Sequence, residues 1–281
     1  VAEQYVRAVD TTTGDAQIKA GTGIAGSLDG PLDTARFARA HGIVVDSGGI
    51  VFVSQTANHS IRKIDLAGVT TTVAGTGAAG DSDNVIGVQA ELYSVGRLAI
   101  DANDYIFMAQ WSNHKISMLS PEGVVTTHIT AGLNTPTSVA VSAAGDIYVG
   151  NYGDQTVHAY QVSPAAPTAS PTAPTLPAPT WVAGTVAGTG VVEGTLAVAE
   201  LGPSIAVTCD TISNDVLLAG YTTQRVRRIT SNGRASTWAG DGTGATLTGI
   251  RLSAQLHIPH GLTVAANGDT YATEYYGCVV S

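Results

Sequence analysis

The sequence predicts an all-β protein built from repeated units of four antiparallel strands, and three observations lead to this prediction. The 281 residues include 33 glycines and 11 prolines, a composition that suits many turns and few long helices. Short runs rich in Val, Ile, Thr and Tyr, each bounded by Gly, Asp or Asn, have the length and composition of strands. One phrase also recurs, since SQTANHSIRKID around Asn58 is followed by AQWSNHKISMLS around Asn113.

Each repeated unit contains four strand-like segments in a fixed order. The first strands are HGIVVDSGG, GRLAIDAND, TSVAVSAAGD, SIAVTCDTISND and HGLTVAANGD, and the second strands are IVFVSQ, YIFMAQ, IYVGNY, VLLAGY and TYATEY. The third are NHSIRKID, NHKISMLS, DQTVHAYQ and TQRVRRIT, and the fourth are VTTTVAG, VVTTHIT, TWVAG and ASTWAG. Four strands at a period of roughly 40 to 55 residues predict the blades of a β-propeller, with a linear solenoid as the alternative.

These repeats resemble the NHL-repeat propellers through VAGTGAAG, NHSIRKID and NHKIS. The resemblance covers almost the whole chain and implies one NHL-like propeller domain over residues 1–281. It implies little about activity, because one fold hosts many functions. The blades diverge from the family at the Asp that follows the second strand. The residues in its place are Gln55, Gln110, Asn151, Tyr221 and Glu274.

The two ends of the chain match different parts of one unit. EQYVRAVDTTTGDAQIKAGTG matches a third and a fourth strand, whereas HGLTVAANGDTYATEYYGCVVS matches a first, a second and the start of a third. Together they predict five blades, the last closed by the N- and C-terminal strands, which removes open sheet edges. Val280 and Ser281 compete with Val6 and Arg7 for one strand position. A slice of a six-bladed propeller, or strand addition to a second copy, is therefore the alternative.

A proline-rich insertion, residues 163–180, interrupts the third full repeat with SPAAPTASPTAPTLPAPT. Its composition predicts an extended, polyproline-like surface loop. Ser and Thr beside Pro resemble O-glycosylated stalks, and Asn58-His59-Ser60 is a formal N-glycosylation sequon. The glycosylation candidates are Asn58, Thr168, Ser170, Thr172 and Thr175. They favour an extracellular or cell-surface location, with a bare flexible loop as the alternative.

The charge balance bears on the class of partner. A net charge of −9 argues against nucleic acid, whose binders carry a basic face, and no apolar run approaches the roughly 18 residues of a membrane-inserted helix. The loops between blades carry several acidic residues, and loops on a rigid scaffold commonly bind partners. The predicted binding face, for a protein or glycan, contains Asp29, Asp33, Asp81, Asp83, Glu91, Glu193, Glu200 and Asp241. The alternative is that these loops are plain spacers.

The histidines give the chemical hypotheses. Asn58-His59 and Asn113-His114 lie in the second-to-third turn, where we expect Asn to adopt the left-handed conformation, so this phrase is mainly architectural. Alignment of the first strands brings five residues into equivalent positions: His41, Gly96, Thr137, Pro203 and His260. Peptidyl-hydroxyglycine lyase propellers, similar in fold, hold zinc with channel histidines. That similarity makes His41 and His260 candidate metal ligands, for zinc or calcium, although a catalytic zinc usually has three protein ligands.

The sequence supports three functional hypotheses. The leading one is a non-enzymatic binding or scaffold module that uses the loop face, because no nucleophile elbow, HExxH or P-loop is present. The second is a metal-dependent lyase or hydrolase at the channel mouth. The third is a structural subunit of a filament or cell-surface assembly, which includes self-assembly through the unmatched ends.

Overall fold

The computed structural model describes residues 4–10, 12–13, 15–82, 85–161, 178–184, 192–210, 212–245, 249, 252–265 and 267–274. These residues belong to two units. The first unit contains the described residues up to 113 and residues 117–128. The second unit contains residues 114–116 and the described residues from 129 to 274. The prediction of a single domain over residues 1–281 stays a prediction.

The first half of the chain contributes eleven strands. They are β1 (Val6–Val9), β2 (Ala16–Ala20), β3 (Ala40–Val45), β4 (Val51–Gln55), β5 (Ser60–Ile64), β6 (Thr70–Ala74), β7 (Val85–Ile86), β8 (Val95–Ile100), β9 (Ile106–Gln110), β10 (Lys115–Leu119) and β11 (Val124–Ile129). They form a two-stranded sheet β1-β2, a four-stranded sheet β3-β4-β5-β6 and a five-stranded sheet β7-β11-β10-β9-β8. A short 3-10 helix, Gly87–Gln89, follows β7.

The second half contributes another eleven. They are β12 (Pro136–Val141), β13 (Ile147–Asn151), β14 (Thr156–Tyr160), β15 (Trp181–Ala183), β16 (Gly194–Thr195), β17 (Ser204–Cys209), β18 (Val216–Gly220), β19 (Arg225–Ile229), β20 (Arg234–Ala239), β21 (Pro259–Val264) and β22 (Thr270–Glu274). Their sheets have the orders β12-β13-β14-β15, β16-β20-β19-β18-β17 and β21-β22. No helix among the described residues is long and apolar enough to cross a membrane.

The predicted all-β architecture is confirmed, with one addition. Each repeat is an antiparallel sheet in which the four strands lie in chain order. The loop that leads into a repeat also pairs with that repeat's outermost strand. This pairing gives β7 on β11, β16 on β20, and a single bridge between Gly30 and Thr70 on β6. These connecting loops, which the sequence predicts to form the binding face, therefore also cover sheet edges that would otherwise be open.

The two ends of the chain form separate two-stranded sheets, β1-β2 and β21-β22, among the described residues. Residues 275–281, which the sequence places at the start of a shared strand, lie outside those residues. The fifth blade closed by both ends, and the number of blades, stay predictions.

Apolar side chains of successive sheets pack together within each unit. In the first unit Ile61, Leu92 and Met108 are fully buried in one cluster, and β3 lies beside β8. In the second unit Leu218 and Val157 share a cluster, and β17 lies beside both β12 and β21. Within each unit, the first strand of one repeat thus packs beside the first strand of the next. Each fully buried Leu or Ile contributes on the order of 1.5 to 3 kcal/mol.

The recurring Asn-His phrase forms a backbone lock, with the roles of its two residues reversed from the prediction. His59 and His114, and not the asparagines, adopt the left-handed conformation, at φ 46° and 49°. The ring Nδ1 of His59 accepts the backbone N–H of Ser94 at 3.0 Å, and Nδ1 of His114 accepts that of Thr135 at 2.9 Å. Each imidazole therefore ties one second-to-third turn to the loop that begins the following repeat.

Glutamine performs the same task at the equivalent position of other repeats. Gln4 Oε1 accepts the N–H of Arg39 at 3.0 Å, and Gln224 Oε1 accepts that of Ile258 at 2.5 Å. The four residues held in this way all have φ between 50° and 53°: Arg39, Ser94, Thr135 and Ile258. This conformation costs a non-glycine residue roughly 1 kcal/mol or more, and it is rarest for β-branched residues such as Ile. We infer that the captured N–H group helps to maintain it.

A second lock closes four of the five repeats internally. The side chain that ends the second strand accepts an N–H from the loop before the first strand. The pairs are Gln55 with Ala38 (2.7 Å), Gln110 with Tyr93 (2.9 Å), Asn151 with Asn134 (3.1 Å) and Glu274 with His257 (3.1 Å). In the repeat of β17 to β20 this position is Gly220 and not Tyr221, because Gly220 ends β18 and pairs with Ser204. The Thr223 side chain lies where a side chain on residue 220 would project.

Replacing His59 tests the first lock. We expect His59→Leu to lower the free energy of unfolding by about 1 to 3 kcal/mol, because the Ser94 N–H loses its acceptor. His59→Gln should stay within about 0.5 kcal/mol of the wild type, since glutamine fills this role at Gln4 and Gln224. Urea denaturation at pH 7.5 measures both. Equal losses in the two variants would show that the acceptor is not what matters.

His128 makes stability depend on pH. Burial lowers the pKa of His128 to about 4, and its ring packs edge-on against Phe107 at 5.3 Å between centroids. The unfolded chain protonates this group near pH 6.5, so unfolding takes up a proton between pH 6.5 and 4. The stabilisation is complete above pH 6.5 and is lost as the pH falls towards 4. At pH 5 the loss through this group is about 2 kcal/mol.

His128→Phe should remove that part of the dependence, because phenylalanine does not titrate and suits the apolar surroundings. The measurement is the free energy of unfolding at pH 7.5, 6.0 and 5.0 for both proteins. If the two curves run parallel, His128 does not titrate on unfolding as expected.

Candidate functional site

Every first strand begins with a β-bulge, and bulges commonly redirect side chains near functional sites. The pairing register shifts between Ala40 and Ile43, Val95 and Leu98, Pro136 and Ser138, Ser204 and Ala206, and Pro259 and Gly261. The equivalent bulged residues are His41, Gly96, Thr137, Ile205 and His260. Four of the five sequence-predicted positions are therefore equivalent in the structure, and Ile205 replaces Pro203. The alignment chose Pro203, which lies two residues before the bulged Ile205.

The bulge at His41 is fixed by its neighbour Gly42. The Gly42 N–H donates to the buried Ser54 hydroxyl at 2.7 Å, and that hydroxyl donates to the Gly96 carbonyl at 2.6 Å. A Cβ at residue 42 would lie 2.8 Å from the Gly96 oxygen and 2.9 Å from the Arg97 Cα. Only glycine allows the backbones to approach so closely. His41 is therefore held beside a rigid strand junction.

A cavity of about 200 Å³ opens beside His41 in the first unit. Its wall comes from β1 and from the bulged start of β3, with Val53 of β4 at its base. The polar groups that line it come from Tyr5, Arg7 and His41. Two distant parts of the sequence thus place an imidazole and a guanidinium around one space.

Trp111 contacts His41 within the same unit. The ring centroids lie 5.5 Å apart at an interplanar angle of 46°. The indole Nε1 of Trp111 is buried and has no hydrogen-bond partner among the residues that the structure describes. A buried donor without a partner is costly, and a bound acceptor group would satisfy it.

The charges around this cavity are positive in an acidic protein. The Arg7 guanidinium lies over the Tyr5 ring at 5.5 Å and is exposed to solvent. Arg97, whose backbone abuts Gly42, has its pKa lowered to about 10 by burial, so it stays protonated at neutral pH. Arg7 therefore offers a positive group to an anionic ligand, although the net charge of the chain is −9.

The described surroundings of His41 do not fit a metal ion. No group of three or more His, Cys, Asp or Glu side chains close enough to hold one occurs in the described ranges. The groups found around His41 are an indole, a phenol and a guanidinium, none of which suits zinc or calcium. His260 has the equivalent bulge in the second unit, where Gly261 N–H donates to Thr273 Oγ1 at 2.9 Å. That His41 and His260 jointly hold a metal stays a prediction.

One acidic loop residue contacts a buried arginine, and a second lies near another. Arg62 is fully buried, and its guanidinium contacts Asp29 at 2.5 Å. Asp29 also accepts the Thr72 N–H at 2.9 Å. Arg227 is likewise fully buried and donates to Thr237 Oγ1, while Glu193 accepts the Thr237 N–H at 2.8 Å. These carboxylates fasten a connecting loop to the outer strands of its sheet.

The other residues of the predicted binding face differ in their exposure and contacts. Asp241 is exposed, accepts the Thr243 N–H, and has its pKa lowered mainly by that bond. Asp33, Asp81 and Glu91 are exposed, and Glu200 is half-buried. Asp83 and the O-glycosylation candidates Thr168, Ser170, Thr172 and Thr175 lie outside the described residues. Asn58 is half-buried in the turn before β5. A shared ligand for these residues stays a prediction.

Sequence reasoning missed Tyr5, Arg7 and Trp111. Trp111 directly follows β9, and Tyr152 and Tyr221 directly follow β13 and β18. The recurrence of an aromatic residue directly after the second strand could therefore have identified Trp111 from the sequence. Nothing in the N-terminal segment marks Arg7, because only the folded chain brings it beside His41.

Sequence comparison places the chain in no established group. No protein-family model matches it, and no curated protein matches it in sequence.

Solved structures, in contrast, resemble it in three dimensions. A virginiamycin B lyase from Staphylococcus aureus has a TM-score of 0.55 and 14% identity, over 86% of this chain and 66% of its own. A gluconolactonase from Xanthomonas campestris has a TM-score of 0.64 and 12% identity, over 97% and 76%. A nidogen/laminin complex has a TM-score of 0.61 and 14% identity, over 99% and 86%.

This chain therefore spans slightly less than two thirds of the lyase's length. At such low identity these similarities establish the fold alone. The structures that resemble it are β-propeller proteins, so the predicted β-propeller fold is confirmed.

Proposed function

We propose that the protein is an enzyme of the lyase or hydrolase class that acts on a small anionic substrate in the cavity beside His41. The observation that carries this proposal is that His41 and Arg7 line the same space of about 200 Å³. An imidazole transfers protons near neutral pH, and a guanidinium binds carboxylate or developing oxyanion charge.

The two side chains divide the work. Arg7 holds the substrate's anionic group at the exposed side of the cavity, where its charge also attracts the substrate. His41 takes a proton from water or from a carbon next to a carbonyl group, and returns it to the leaving oxygen. The Trp111 indole packs against the imidazole and helps to fix its plane. No step passes through a metal ion.

The structures that resemble this chain support the proposal only in a general way. They include a virginiamycin B lyase and gluconolactonases, so this fold serves enzymes of both classes. They also include an auxiliary nutrient binding protein from Bacteroides ovatus. The scaffold hypothesis gains no support from Asp29 and Glu193, which are engaged in fastening loops.

The setting that accompanies this proposal is extracellular or at the cell surface. It rests on the composition of residues 163–180 and on the sequon at Asn58. In this proposal the chain is also a divergent NHL-repeat protein, because it contains the AGTG and NHxI motifs. Peptide mapping for glycan mass at Asn58 and within residues 163–180 tests the setting.

A proton-release assay tests the activity. We expect turnover with at least one member of a panel of small lactones and esters that carry a carboxylate or phosphate, and little turnover with their neutral analogues. His41→Gln should lower kcat at least a hundredfold, and Arg7→Gln should mainly raise KM for the anionic substrate. Product mass distinguishes the classes, because hydrolysis adds water and elimination does not.

One control variant and two contradicting outcomes complete this test. Arg39→Gln removes a nearby exposed arginine that does not line the cavity, and should leave the kinetics unchanged. Activity abolished by a chelator and restored by zinc would overturn the metal-free mechanism in favour of the metal-dependent alternative. Binding of the anions without turnover, in a protein that melts normally, would identify a binding module and refute the enzyme proposal.

A further inference from the structure

A larger cavity lies in the second unit, away from any residue used above. It has a volume of about 380 Å³, within the range of roughly 300 to 1,000 Å³ typical of small-molecule sites. Its walls come from the turns before β13 and β18 and the turn between β19 and β20, together with Trp181 of β15. Strands of two different sheets thus frame one opening.

Two aromatic rings form its apolar wall. Tyr148 is buried and Trp181 half-buried, with ring centroids 5.7 Å apart and planes inclined at 46°. Burial, with smaller effects of the nearby Cys209 and Asp146, raises the pKa of Tyr148 to about 12, so its hydroxyl remains a neutral donor. Two inclined aromatic faces present an angled platform for a ligand with an apolar face.

The rim opposite the rings is rich in hydrogen-bonding groups. Asp146 supplies a carboxylate, and Gln161, Asn214 and Asn232 supply amides that both donate and accept. Gln161, Asn214 and Asn232 are exposed at the opening, whereas Asp146 is half-buried. Asn214 has φ 59°, a conformation that asparagine tolerates better than most residues.

The charge of the lining limits the kind of ligand. Asp146 is the single charged side chain among the described residues that line the cavity, and no cation lines it. The nearby Arg228 guanidinium is engaged by the Asp215 carboxylate and lies over the Trp238 ring. An anionic ligand is therefore disfavoured, and a neutral ligand with many hydroxyl groups fits best.

From this juxtaposition we propose that the cavity bounded by Trp181, Tyr148, Asp146 and Asn214 is a binding site for a neutral saccharide. The C–H face of a sugar ring packs on the Trp181 indole, as apolar ring faces do on aromatic rings. Its hydroxyl groups donate to Asp146 and exchange hydrogen bonds with the three amides. This site is independent of the proposed activity, since it uses no residue of the cavity beside His41.

An array of immobilised neutral oligosaccharides, which includes cellobiose, maltose, lactose and chitobiose, tests this proposal on the full chain. Calorimetry with the strongest free sugar then gives the affinity. We expect Trp181→Ala to weaken binding at least tenfold and Asp146→Asn to weaken it about threefold to tenfold. Trp238→Phe is the matched control, since Trp238 lies outside the cavity lining, and should leave the affinity unchanged.

Trp181 also packs against the apolar cluster of this unit, so its removal can lower stability. The double variant Gln161→Ala, Asn232→Ala changes only exposed side chains on backbone outside the left-handed region, and should lose at least tenfold in affinity with an unchanged melting temperature. Binding of N-acetyl-arginine amide, lost in Asp146→Asn, with no binding of neutral sugars would show a site for cationic peptides and overturn the proposal. Absence of binding to every neutral sugar, or sugar binding unaffected by these variants, would also overturn it.

Discussion

The structure depends on the capture of a strained backbone N–H group at the start of four of its repeats. Arg39, Ser94, Thr135 and Ile258 all adopt the left-handed conformation, and each donates its N–H to a side chain of the preceding turn. This contact is a polar link between successive repeats, whereas apolar packing supplies most of the stabilisation. Because the interaction is directional, it fixes the height at which each first strand begins.

The position of the candidate site follows from that constraint. The Arg39 N–H is held by Gln4, and the preceding Ala38 N–H is held by Gln55. The bulge that carries His41 begins directly after these two contacts. The Gly42–Ser54–Gly96 hydrogen bonds then fix the far side of the bulge. His41 is thus placed by four hydrogen bonds of its neighbours, which give the imidazole a defined position at the bulged start of β3.

The same framework contains two kinds of buried polar group. Arg62 and Arg227 are charged groups whose burial is compensated by Asp29, Glu193 and nearby carbonyl groups. His128 is a group whose burial favours the neutral form. The first kind organises the loops between repeats, and the second makes the fold sensitive to acid. The two cavities are lined by side chains from several strands and turns of their own units.

The sequence by itself determined the four-strand repeat, the strand order and the equivalence of His41 and His260, because side-chain alternation and turn residues are local properties of the chain. It also marked the Asn-His turn, although it assigned the left-handed residue wrongly, since either residue suits that turn. Only the tertiary structure shows which backbone N–H groups the side chains of the second-to-third turns accept. It alone also shows that Asp29 contacts Arg62 and that Arg7 lies beside His41. These pairings join residues 33 or 34 positions apart, and such distant contacts depend on how sheets pack, which no local pattern encodes.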